Sequence, residues 1–143
     1  MNEIMVNENK QEMNIVDDLT SANAAFCSMS MDTPEQKLLV FKAMNTPDFR
    51  IGDCINTTIK VKDIYCEIVD CKNEETGETS KAPRVVLIDD EGKSYQSVSV
   101  GIYGAVKKLM QVFGVPTWEQ PIPLKIVQVT KGKNKMLTLD IAR

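Results

Sequence analysis

Between Ile55 and Val61 the chain alternates, with Ile55, Thr57, Ile59 and Val61 set against Asn56, Thr58, Lys60 and Lys62. A period of two predicts a strand with one face in a core. After Asp63 the apolar set becomes Ile64, Cys66 and Ile68, and this shift predicts a bulge or bend in one long strand. The polar run Glu74 to Ser80 predicts a loop, followed by a strand over Arg84 to Ile88. Asp89-Asp-Glu-Gly92 is a turn signal that returns the chain into a strand over Ser94 to Val100, with Val98 and Val100 toward the core and Tyr95, Ser97 and Ser99 opposite. From Gly101 to Gly114 the period becomes helical, with Ile102, Val106, Leu109, Met110 and Phe113 on one stripe and Gly114 as the stop. Two last strands, Leu124 to Thr130 and Met136 to Ile141, flank Lys131-Gly-Lys-Asn-Lys135.

Ahead of these elements, Asp32 or Thr33 caps a helix with Pro34 at its first position, predicted over 33–45 and stopped near Pro47. Residues 1–31 are rich in Asn, Glu, Ser and Met without a sustained period, which predicts an extended or partner-docking arm. The domain is then 32–143, mostly β with α in the order β-β-β-α-β-β. That is the order of the OB fold, a five-stranded Greek-key barrel with a helix between its third and fourth strands. A mixed α+β sandwich shares the order. The bend in the first strand favours the barrel, because small barrels bend a strand to carry it around a corner.

Composition narrows the chemistry. The 143 residues contain no histidine, and the four cysteines form no CxxC pair. This removes the usual general base, the Ser-His and Cys-His nucleophiles and the common zinc spacings, so neither an enzyme nor a metal or nucleotide cofactor is expected. Asp89 and Asp90 fit a turn better than a Mg²⁺ site. No apolar run reaches the ~20 residues of a membrane span, and the N-terminus lacks a secretory pattern, so a cytoplasmic protein is expected.

The formal charge of −3 is unevenly distributed. Residues 1–36 carry seven acids and one lysine, a net of −6, which leaves +3 on residues 37–143. Residues 93–143 hold eight bases against Glu119 and Asp140. An acidic arm on a basic body points to an anionic partner for the body.

An OB fold binds oligonucleotides on its second and third strands, between the loops joining strands one to two and four to five. Binding without sequence preference needs cations for phosphates and rings for bases. The basic loop Lys131, Lys133 and Lys135 falls at the four-to-five position, though it also suits a solvated turn. Lys60, Lys62 and Tyr65 on the first strand, Arg84 on the second, and Tyr95 and Ser97 on the third complete the candidate surface. Trp118, Tyr103 and Phe113 are assigned to structure.

The stretch from Asp48 to Ile141 resembles the OB-fold single-stranded-DNA-binding proteins of phages and conjugative plasmids of Gram-positive bacteria. Tyr95-Gln-Ser-Val-Ser-Val100, Leu109-Met-Gln-Val-Phe-Gly114 and Ile126-Val-Gln-Val-Thr-Lys-Gly-Lys-Asn-Lys135 with Leu137-Thr-Leu139 carry the resemblance. It implies sequence-tolerant coating of single-stranded DNA in replication or conjugative transfer. The acidic C-terminal recruitment tail of cellular relatives is not expected, since the chain ends on Leu139-Asp-Ile-Ala-Arg143. Self-association along DNA through the N-terminal arm is expected instead. An RNA-binding or duplex-tolerant OB module and an OB-like protein adaptor remain as rival readings.

Overall fold

A computed structural model describes residues 25–142. Seven strands build one strongly curled, half-barrel sheet, consistent with an OB-like fold, and two helices pack on it. The strands are β1 (Ala25–Cys27), β2 (Phe49–Arg50), β3 (Thr58–Lys72), β4 (Thr79–Asp89), β5 (Ser94–Val98), β6 (Ile122–Lys131) and β7 (Asn134–Ile141). Helix α1 is Pro34–Asn45 and α2 is Val100–Phe113. Strand order across the sheet is β2-β5-β4-β3-β6-β7, with β1 added to β3, so β2 and β7 are the outer edges.

The sheet curls because β3 is long and broken in register. It pairs antiparallel with β4 along its length, but the pairing slips between Val61 and Asp63, where one extra residue bends the strand. Before the slip β3 pairs with β6, and after it with β1. Ile59, Val61, Ile64 and Cys66 therefore all reach one interior, where they meet Val85, Leu87, Leu124 and Ile126. Helix α2 closes one end of that interior with Ile102, Val106 and Met110. The Ser99 side chain accepts from Ile102 N–H at its start, and Gly114 ends it at φ 85°. Phe113 lies off the core stripe and is half exposed, contrary to the sequence pattern, whereas Tyr103 and Trp118 are buried.

Helix α1 packs on the opposite, outer face of the sheet. Thr33 and Gln36 form a reciprocal capping box, and Pro34 occupies the first turn. Val40 and Ala43 bury against Tyr65, Val86 and Ile88, with Met29 from the segment before the helix. Two small apolar side chains contribute on the order of 2–4 kcal/mol by area, so α1 is attached far less strongly than α2. Of the expected N-terminal arm, residues 1–24 lie outside the described residues; Phe26 and Met29 are buried on the body.

Candidate nucleic-acid interface

Beyond Val127 the β6–β7 hairpin is exposed on both strands up to Met136. Lys131 pairs with Asn134, so the turn is only Gly132 and Lys133, with Gly132 at φ 63°, a conformation that favours glycine. This tight turn concentrates Lys131, Lys133 and Lys135 on one tip, and none of the three forms an ion pair among the described residues. The β3–β4 hairpin has the opposite character. Its outer part carries Asp70, Glu74, Glu75 and Glu78 against Lys72 and Lys81, and Lys81 already pairs with Asp70 at 2.7 Å.

On the outer face of the sheet the ladders bring Tyr65, Val86, Gln96 and Arg50 into one row, and Glu67, Arg84 and Val98 into the next. Arg84 donates from Nη1 to Glu67 Oε2 (2.9 Å) and from Nε to Gln96 Oε1 (3.1 Å). The pair holds the Arg84 side chain at 12% exposure. Arg50 is exposed, and its guanidinium makes no hydrogen bond or ion pair among the described residues. Next to it Phe49, 43% exposed, stacks on Tyr95 with ring centroids 5.0 Å apart.

Where the chain leaves β2 for the 3-10 turn Ile51–Asp53, the end of β5 is uncovered. A cleft of about 460 Å³ opens there, bordered by Arg50, Asp53, Gln96, Ser97 and Val98 on one side and Leu137 of β7 on the other. Lys135 is two residues before Leu137 on the same strand face, about 7 Å along it. Leu137 is thus the residue of the β6–β7 hairpin that reaches the free edge of β5.

The candidate residues from the sequence divide accordingly. Ser97 borders the cleft, and Lys135 lies on β7, two residues before the bordering Leu137. Lys131 and Lys133 are at the hairpin tip, and Arg84 is committed to Glu67 and Gln96. Lys60 borders a different hollow with Asp89, Asp90 and Glu91. Lys62 lines one under α1 with Asp63 and Thr117. Tyr65 is 4% exposed beneath α1, so no base can stack on it while the helix is docked.

Tyr95 is a correction to the expected facing of β5. It packs against the interior and donates its hydroxyl to Asp89 Oδ2 (3.2 Å), while Val98 and Val100 are the exposed side chains. A tyrosine can fill the core position because its ring is apolar and its hydroxyl finds a partner at the rim. Burial, with the neighbouring carboxylates Glu67 and Asp89 respectively, pushes the phenols of Tyr65 and Tyr95 up to about 12.

The sequence reading missed Phe49 and Arg50. An aromatic followed by an arginine just before the alternating segment was the available signal, but it passes as a strand lead-in until β2 is seen beside β5.

No helix among the described residues is long and apolar enough to cross a membrane. No curated protein and no solved structure matches the chain. The family model described as phage single-stranded DNA-binding protein does match, over residues 19–142, a span that includes both the lysine hairpin and the β5 cleft. On that match, the chain belongs to the phage single-stranded DNA-binding protein family.

Proposed function

We propose that this protein binds single-stranded DNA stoichiometrically and without strong sequence preference, in replication or conjugative transfer of a mobile element. The observation that carries the reading is the β6–β7 tip, where three lysines without an ion-pair partner among the described residues stand together with no acid between them. Phosphates are the natural ligand for such a cluster, because neutralising them releases counterions. In an OB barrel made of β3, β4, β5, β6 and β7, with α2 between β5 and β6, this tip is the four-to-five loop beside the ligand face.

The protein acts in the cytoplasm as a binding protein rather than an enzyme. Copies associate along the strand through residues 1–24, whose apolar positions Ile4, Met5, Val6, Ile15, Val16 and Leu19 are interspersed with five acids. Lys131, Lys133, Lys135 and Ser97 are the contacts retained from the sequence. Tyr95 lines an open hollow beside Lys60 and can offer its ring edge there, whereas Tyr65 takes part only if α1 undocks.

The test is fluorescence anisotropy of labelled oligo-dT titrated at low and moderate salt, with RNA and duplex DNA of equal length as competitors. Saturable binding that single-stranded DNA wins, weakening with a salt slope of about −0.7 per phosphate contacted, supports the reading. Binding that RNA wins moves the protein to an RNA-binding role. No binding even at low salt leaves a protein adaptor on an OB-like scaffold.

A further inference from the structure

Gln96 has a fixed direction that its sequence does not disclose. Its Oε1 accepts from Arg84 Nε at 3.1 Å, and Arg84 is itself anchored on Glu67 Oε2 at 2.9 Å. With the oxygen of the amide engaged, the NH₂ is directed away from Arg84 and has no acceptor among the described residues. On the other side of Gln96 in the same row is Arg50, whose guanidinium also has no acceptor among the described residues. Two neighbouring side chains therefore present only donors, one of them charged, at the mouth of the 460 Å³ cleft.

A donor-only pair suits an anion with several acceptor oxygens, and a planar guanidinium beside an amide suits a tetrahedral oxyanion. We propose that Arg50 and the Gln96 amide form a backbone-phosphate clamp for single-stranded DNA in this cleft, with Glu67 and Arg84 as positioning residues that orient Gln96. The inference rests on the single-stranded DNA reading and specifies where on the sheet one phosphate is held. It also gives Arg84 a role consistent with its ion pair: it touches Gln96 rather than the ligand.

Asp53 gives the proposal its sharpest internal check. It borders the same cleft and forms no ion pair with Arg50. A phosphate held by Arg50 feels its repulsion, so removing that charge must tighten binding. A phosphate bound elsewhere on the protein feels only the screened, long-range part of that repulsion, so a gain that persists at moderate salt marks an anion in this cleft.

The experiment uses the full chain and an oligo-dT of about ten nucleotides, short enough to report single-copy affinity. Arg50→Gln is expected to weaken binding about tenfold at low salt and to reduce the magnitude of the salt slope by about 0.7. Gln96→Glu keeps an oxygen for Arg84 but replaces the NH₂ with carboxylate, and is expected to weaken binding at least as much. Asp53→Asn is expected to tighten it. The double variant Glu67→Gln with Arg84→Met leaves net charge unchanged and frees Gln96 to turn, so affinity should fall with the salt slope preserved. Circular dichroism melts of each variant exclude loss of fold as the cause. If the wild type binds and Arg50→Gln and Gln96→Glu leave affinity and slope unchanged, the clamp is wrong while the DNA reading stands. A wild type that does not bind removes the DNA reading itself, and the clamp with it.

Discussion

Two glycines of α2, three residues apart, have opposite surroundings. A Cβ at Gly101 would collide with the Leu137 carbonyl of β7 and the Met136 side chain, so the helix touches β7 there through bare backbone. Gly104 has nothing within 4 Å of the same position. Gly101→Ala should therefore destabilise the protein by about 1–3 kcal/mol through overpacking against backbone. Gly104→Ala should stabilise it by about 0.5–1 kcal/mol, since alanine is the better helix former. Denaturant midpoints of the two variants check both signs. Neither environment was legible in the sequence, where the two glycines read alike; the difference arises from a contact between residues far apart in the chain. The facing of β5 was misread for a related reason. In Tyr95-Gln-Ser-Val98 either alternate set can be the apolar one, and tertiary contacts decide it: the Tyr95 ring packs on the interior and on Phe49 while its hydroxyl reaches Asp89. The two phenols at about 12 also imply a pH dependence. A folded-state value above the ordinary ~10 means that folding favours the neutral phenol. That contribution is intact below pH ~10 and is lost as pH rises toward 12. Phenolate absorbance during an alkaline titration should show two tyrosines ionising late.

Elements with local signals were readable in advance, and elements defined only by their partners were not. The capping residues of α1, the break in β3 and the turns at Gly92 and Gly132 all have residue-level causes that can be seen without neighbours. Strands β1 and β2 are three and two residues long, too short for a period, and exist because β3 and β5 present free edges. The lysine hairpin was legible and the cleft was not, because the cleft depends on β2 leaving β5 early. Docking of α1 is likewise a tertiary fact with a testable consequence. Its attachment rests on Val40 and Ala43, and they cover the patch that holds Tyr65. Val40→Asp buries an unpaired carboxylate there, a cost large enough to undock a helix held by a few kcal/mol. The interior on the other face of the sheet shares none of these residues and should remain folded. In the alkaline titration Tyr65 should then ionise near its ordinary value while Tyr95 stays near 12. If both tyrosines remain late, α1 is held by more than this patch.

At the scale of the whole molecule, charge is divided along the chain rather than balanced. Residues 1–24 carry Glu3, Glu8, Glu12, Asp17 and Asp18 against Lys10, a net of −4, so removing them takes the formal charge from −3 to +1. A chain beginning at Ala25 keeps β1, Phe26 and Met29, and with them the packing of the described body. Two consequences of the truncation have opposite signs. On a short oligo-dT that admits one copy, the shortened protein should bind more tightly at low salt, since the long-range repulsion between the acids and the phosphates is gone. That gain should fade as salt rises and the Debye length falls to about 10 Å near 0.1 M. On a long strand, cooperativity should fall if residues 1–24 link neighbouring copies, because each copy then binds without the contribution of the next. The two lengths of DNA separate the effects. Tighter binding on the short strand with unchanged cooperativity on the long one would make the segment an electrostatic brake and nothing more. Loss of cooperativity would make it the connector, and its acids would then discourage isolated binding in favour of contiguous coating.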